Sequence, residues 1–398
     1  MKIGLAEAQL IAAKTPAFAE LLPIVSPEGL PGEEFLRDVR RILASRRLTN
    51  GAFVREFENA VAEYLGVPHC VAVSSCTIGL VLTWRALELE GEVVVPSFTF
   101  HATAQSLVWN GLKPVFADCD PGTFCVDPQS VRARLSPKTA AICAVHIFGN
   151  PANVAELEEI ATGAGVHLIC DAAHAFGSRA NGKTVGTFGT AEIFSLSPTK
   201  LVVAGEGGLI ATRDATLARR LRAARNYGDA GNYDPDSFGL NARMSEFHAA
   251  LALRGMEGLE ARIERRNQIR LQYERRLAAA PGLSFQQIPD ESRSSCKDFC
   301  LLVDERLFWR TRDWLHDALQ KENIDTRRYF WPPVHRQKLF CRVWDKRPLP
   351  MTEQISERVL NLPIYSTLTE EEVDKVCDAI LHAAEFAKQN GKARAQGA

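Results

Sequence analysis

The sequence of 398 residues lacks a dominant charge sign: 47 lysines and arginines face 48 aspartates and glutamates, a formal charge of -1. Nothing in that balance advertises nucleic acid or an anionic membrane as a partner, so a small molecule is the expected ligand. The chain also lacks any apolar run of about eighteen residues, which excludes a membrane-spanning helix. Its N-terminal apolar stretch is broken by Glu7, Gln9 and Lys14, where a signal peptide would be continuous. A cytoplasmic protein is expected. The ten cysteines are scattered, and none has the C-x-x-C spacing of a zinc site, so they are expected to be reduced and mostly buried.

What is present is ordered in blocks. Residues 1–32 hold Pro16, Pro23, Pro27 and Pro31 with little periodicity, which suggests an extended arm. Amphipathic helices are expected over 33–46 and 53–65. From 70 to about 212, seven short apolar runs alternate with helical patterns at 77–89, 101–110 and 153–164. The runs are continuous rather than alternating, as in strands covered on both faces of a mostly parallel sheet. This predicts an α/β domain. A charged helical region follows at roughly 244–279; its arginines are interleaved with Glu257, Glu260, Glu264 and Glu274, which favours a solvated helix face over a nucleic-acid patch. Beyond Pro281-Gly282 a smaller unit is expected, with a strand near 298–304, helices near 309–322 and 369–388, and a disordered tail over 391–398.

In open parallel sheets ligands lie outside the carboxyl ends of the strands, so the residues after each strand are inspected first. Ser74-Ser75-Cys76-Thr77 opens a helix, where free amides suit a phosphate, although Ser75 or Thr77 could equally be an N-cap alone. Pro96-Ser-Phe-Thr-Phe100 offers an aromatic plate, or simply core residues. Asp171-Ala-Ala-His174 puts a carboxylate at the end of an apolar run, where it needs a cationic partner. Metal binding by Asp171 and His174 is set aside, because no further ligands cluster near them in sequence. Lys200 lies between an apolar strand and Gly205-Glu-Gly-Gly208. A lysine held in such a pocket can lose its proton and attack a carbonyl carbon. Pyridoxal phosphate needs all four elements: an anion site, a stacking partner, an acid for the pyridine nitrogen and a lysine that binds its aldehyde. Gly177-Ser-Arg-Ala-Asn-Gly182-Lys183-Thr184 fits a P-loop pattern, but glycines follow it where a helix should start, and Asn181-Gly182 signals a hairpin.

The motifs Leu48-Thr-Asn-Gly51, Ser74-Ser-Cys-Thr77, Pro96-Ser-Phe-Thr-Phe100, Asp171-Ala-Ala-His174, Phe194-Ser-Leu-Ser-Pro-Thr-Lys200, Gly239-Leu-Asn-Ala-Arg-Met-Ser-Glu246 and Tyr329-Phe-Trp-Pro-Pro-Val-His335 stand in this order. Over residues 34 to 385 the chain resembles the DegT/StrS sugar aminotransferases, fold-type I pyridoxal phosphate enzymes. The resemblance implies a large domain over 33–262, with a mostly parallel sheet flanked by helices, and a small C-terminal α+β domain over 263–390. It further implies that Lys200 binds the cofactor covalently and moves the proton, and that Asp171 pairs with the ring nitrogen. By the same resemblance His174 lies near the phenolic oxygen and Phe100 stacks on the ring. Ser75, Cys76, Thr77 and Ser195 would hold the phosphate, joined by Asn241 from a partner subunit in a homodimer with shared active sites. Tyr227, Arg243, Tyr329, Trp331 and His335 are candidates for substrate contact. The implied reaction moves an amino group from L-glutamate or L-glutamine to a keto group of a dTDP-, GDP- or UDP-linked deoxysugar. A cyclitol ketone, an aminohydroxybenzoate-type synthase reaction or a non-catalytic regulatory role are the alternatives. The chain departs from the family at Cys76, usually Gly, at Leu196, usually Phe, at Tyr227, usually His, and at Lys297-Asp298, usually an aromatic-His pair.

Overall fold

In a computed structural model that describes residues 15–30 and 32–396, the apolar runs become strands of one sheet. These are β1 (His69–Val73), β2 (Glu92–Pro96), β3 (Lys113–Ala117), β4 (Thr139–Val145), β5 (His167–Asp171), β8 (Ala191–Ser195) and β9 (Gly208–Thr212), with a two-stranded hairpin of β6 (Arg179–Ala180) and β7 (Lys183–Thr184) between β5 and β8. The sheet order is β1-β9-β8-β5-β4-β2-β3, and only β9 runs against its neighbours. Successive side chains of a strand point to opposite faces. Val94, Ile142, Leu168 and Cys170 accordingly feed one core, and Val93, Val95, Cys143 and Ile169 feed the other. Both faces are covered by helices, which is why the runs carry no polar alternation.

The P-loop-like stretch is a hairpin. Asn181 and Gly182 at its tip both have positive φ (49° and 75°), as a type I′ turn requires, and no helix follows.

The expected helix over 244–279 is divided into Glu246–Gly255 and Leu259–Leu277, separated at Gly258 with φ of 68°. The second of these helices runs through the expected domain boundary at 262/263. It carries the small-domain core with β10 (Leu283–Phe285), β11 (Phe299–Val303), β12 (Val359–Leu362) and the helices Arg312–Lys321 and Glu370–Gln396. Its arginine face is not merely solvated. Arg266 is fully buried and paired with Glu28 of the N-terminal arm, while Arg270 pairs with Glu274 and Arg276 with Asp374 and Asp378. The described part of the arm lies along the small domain: Leu22 donates its amide to Asn323 (2.8 Å) and accepts from Asp325 (3.0 Å). The last helix continues through the stretch expected to be disordered as far as Gln396; residues 1–14, 31, 397 and 398 lie outside the described residues.

Candidate active site

Four segments after strands converge on one cavity of about 320 Å³ at the carboxyl ends of the parallel strands. β1 leads into the helix Cys76–Ala86, β2 into Thr99-Phe100 and the helix His101–Val108, β5 ends at Asp171, and β8 leads through Ser195 to Lys200. Phe330, from the small-domain side, contributes to the same wall.

The helix that opens at Cys76 is capped by Ser75, whose Oγ accepts from the Ile78 amide at 3.2 Å. Both readings of this motif therefore hold geometrically: Ser75 caps the third amide, and helix geometry leaves the Cys76 and Thr77 amides without intrahelical partners at the cavity wall. The unusual side chain at Cys76 is accommodated below, where Sγ lies 4.0 Å from Asp171 Oδ1 and 3.7 Å from the Ile193 carbonyl. Burial pushes this thiol well above its usual pKa, so it is neutral. The backbone of β9 passes directly behind. A Cβ on Gly208 would sit 2.4 Å from Ser75 C and 2.5 Å from Cys76 N, so only glycine fits there.

Asp171 is buried. Its Oδ2 accepts from Thr103 Oγ1 (2.7 Å) and its Oδ1 from the Ala173 amide (3.1 Å). Burial raises its pKa, and the two hydrogen bonds and Lys200 pull it back down. Thr103 was not singled out in the sequence, although its position three residues after Phe100 puts it on the helix face that meets Asp171. His174 is stacked on Phe148 and Phe330, and its Nδ1 accepts from the Phe148 amide at 3.3 Å, which leaves the proton on Nε2. Burial, with the Lys200 and Lys297 charges, holds its pKa well below the usual value, so the ring is neutral.

Lys200 sits on a turn closed by bonds from its own amide to the Ser197 carbonyl (3.0 Å) and from the Ala204 amide to the Leu196 carbonyl (2.8 Å). Gly205, at φ of 79°, lets the chain double back beside it. Burial first, and then the Lys297 ammonium, push the Lys200 amine from 10.5 down to about 8, against the opposing pull of Asp298, Cys76 and Asp171. Lys297 and Asp298 also line the cavity and are paired at 2.8 Å, both nearly buried.

The remaining site residues separate into three groups. Phe100, half exposed, Ser195 and Tyr329 line the cavity, whereas Phe98 is wholly buried against Phe124, Phe148 and Phe330. Tyr227, Asn241 and Arg243 share one loop, joined by the Asn226–Asn241 bridge, by Arg243 to Asn226 Oδ1 (2.6 Å) and by Arg243 over the Tyr227 ring, and they do not line their own chain's cavity. Trp331 lies outside the cavity under Arg312. His335 does not line the cavity: it is fully buried, with Nδ1 on Ser97 Oγ (2.6 Å) and Nε2 on Glu353 (3.1 Å), a pairing that ties its segment to the end of β2 and a neighbouring helix. No signal in the sequence distinguished that role from substrate contact.

The residues fit pyridoxal phosphate on their own chemistry: a buried carboxylate, a lysine of depressed proton affinity and a helix N-terminus with free amides surround one cavity. Fold and site together define a pyridoxal phosphate-dependent aminotransferase. The chain belongs to the DegT/DnrJ/EryC1/StrS aminotransferase family, whose model matches residues 31–381. It is 33% identical over 367 residues to the dTDP-4-amino-4,6-dideoxy-D-glucose transaminase of Escherichia coli, covering 90% of this chain and 98% of that one. It is 34% identical over 351 residues to a UDP-N-acetyl-3-dehydro-alpha-D-glucosamine 3-aminotransferase of Acidithiobacillus ferrooxidans, covering 87% and 93%. Among solved structures, DesI in the presence of its TDP-sugar product matches with a TM-score of 0.89 at 36% identity, covering 95% of this chain and 97% of that one. Among the described residues no helix is long and apolar enough to cross a membrane.

Proposed function

We propose that this enzyme transfers an amino group from L-glutamate or L-glutamine to a keto group on a nucleotide-linked deoxysugar, working as a cytoplasmic homodimer whose sites are completed across the interface. The observation that carries this reading is the convergence of Lys200, Asp171 and the amides of Cys76 and Thr77 on one cavity, in a chain whose relatives act on dTDP- and UDP-linked sugars. The ten unpaired thiols suit a reducing compartment. The dimer is supported by the exposed Asn241 and by Tyr227, which with Arg243 form a loop that leaves its own cavity unserved.

Pyridoxal phosphate supplies an electron-withdrawing ring that makes a carbon–hydrogen bond next to nitrogen acidic. The protein does the rest. The Cys76 and Thr77 amides, with the Ser195 hydroxyl, would hold the phosphate at the positive end of the helix. Asp171, itself fixed by Thr103 and Ala173, would keep a proton on the ring nitrogen by charge pairing, because leaving its own carboxylate buried and unpaired would be costly. Phe100 and the neutral His174, whose proton is on Nε2, line the cavity where they would cover and hydrogen-bond the cofactor ring. Lys200, with its proton affinity lowered, would be the base that takes the proton from the substrate carbon and returns it on the cofactor side. The direct test is turnover of dTDP-4-keto-6-deoxyglucose with L-glutamate as donor, read as 2-oxoglutarate released together with an aminated sugar. Absence of both products with dTDP-, GDP- and UDP-linked keto-deoxysugars alike would sink the proposal.

A further inference from the structure

An aminotransferase of this kind admits two unlike substrates to one cavity in turn: an anionic amino acid, then a sugar whose reacting ring carries no charge. The anionic one needs a cation. Among the described residues that line the cavity, only Lys200 and Lys297 are cationic; no arginine is among them, and His174 is neutral. Lys200 is committed to the cofactor. Lys297 remains.

Lys297 is placed firmly. Its amide donates to the Phe148 carbonyl at 3.0 Å, and its own carbonyl accepts from the buried Arg266 at 3.2 Å, just before β11 begins. An ammonium has three N–H donors, and a single one is engaged, on Asp298 Oδ1 at 2.8 Å. Asp298 Oδ2 is buried with no partner among the described residues. Two N–H donors on a nearly dry ammonium at the cavity wall are therefore left over, an arrangement that costs free energy unless a ligand accepts from them.

Resting on the donor assignment above, we propose that Lys297 is the residue that binds a carboxylate of the amino donor, and that Asp298 is a positioning residue which holds the ammonium in place when the donor has left. With the donor gone the Lys297–Asp298 pair closes to a neutral unit, compatible with a sugar ring in the same space. The half-reaction with the amino acid should thus depend on the Lys297 charge more steeply than the half-reaction with the sugar.

The test uses holoenzyme and its cofactor absorbance, converted either by L-glutamate or, in reverse, by dTDP-4-amino-4,6-dideoxy-D-glucose as the sugar probe. Lys297→Gln keeps an N–H donor for Asp298 and removes the charge. The expected result is a fall of roughly 30-fold in the efficiency of conversion by L-glutamate and a similar loss of glutarate affinity by calorimetry. Because the same substitution also changes Lys200 basicity, conversion by the aminosugar sets the baseline: the loss with L-glutamate should exceed the loss with the aminosugar by roughly tenfold or more, and Lys297→Arg should restore most of the glutamate reaction. A change in Lys200 basicity would move both half-reactions together, so parallel losses would overturn the proposal. So would unchanged glutarate binding, or a loss specific to the donor in Arg243→Gln with none in Lys297→Gln. Wild-type holoenzyme converted by the aminosugar but by neither glutamate nor glutamine would overturn the donor assignment itself.

Discussion

The depressed proton affinity of Lys200 makes a prediction about how the cofactor-free protein captures pyridoxal phosphate. Only the neutral amine attacks the aldehyde. At the ordinary value of 10.5 a lysine is about 0.03% neutral at pH 7, whereas at about 8 it is about 9% neutral, a gain of roughly 300-fold in reactive amine. The rate of covalent capture, followed by absorbance after rapid mixing, should rise about tenfold per pH unit up to pH 7 and level off above about pH 9, with its midpoint near 8. The sign of each neighbour's effect is fixed by its charge: Lys297 lowers the Lys200 value and Asp298 raises it. Lys297→Gln should therefore move the midpoint upward, toward 10.5, and slow capture at pH 7 about tenfold for each unit moved. Asp298→Asn should move it downward. A wild-type midpoint near 10.5, or one indifferent to Lys297→Gln, would refute the electrostatic account, because burial and the Lys297 charge are its two largest causes.

Three further outcomes follow from the geometry. Asp171→Ala removes the buried carboxylate that Thr103 and Ala173 fix, and should lower turnover by roughly 10³-fold while cofactor still binds, measured as kcat beside retained absorbance. Glu28→Ala leaves the fully buried Arg266 without its carboxylate and should cost about 3–5 kcal/mol in denaturant unfolding; a loss under about 1 kcal/mol would mean that the arm does not anchor the small domain. Mixing Lys200→Ala with Asn241→Ala subunits should recover activity that neither variant has alone, since one hybrid site is then intact; no recovery would count against shared sites.

The sheet was legible because its strands are buried on both faces: Val93–Val95, Ile142–Cys143 and Leu168–Cys170 feed two cores at once, so the runs stand out as uninterrupted apolar stretches. The placement of Lys200 and Asp171 beside one cavity was legible for a related reason, Asp171 being the charged end of such a strand and Lys200 lying on the turn that follows another. Thr103 and His335 were not, because a buried threonine or histidine has the same letter whether it orients a carboxylate or ties a loop to Ser97 and Glu353. Arg266 looked like one more solvated arginine, since its partner Glu28 lies 238 residues away in the arm. The unfinished Lys297–Asp298 pair was visible only as a departure from the family's usual residues; its place beside Lys200 came from the packing of the small domain against the sheet.

The measurement that bears most directly on the central claim is borohydride reduction of the yellow holoprotein followed by peptide mass mapping. The cavity holds two lysines, and the account requires the cofactor on one of them. It predicts a single reduced pyridoxyl adduct on Lys200, and none in Lys200→Ala. An adduct on Lys297, or undiminished turnover by Lys200→Ala, would contradict it.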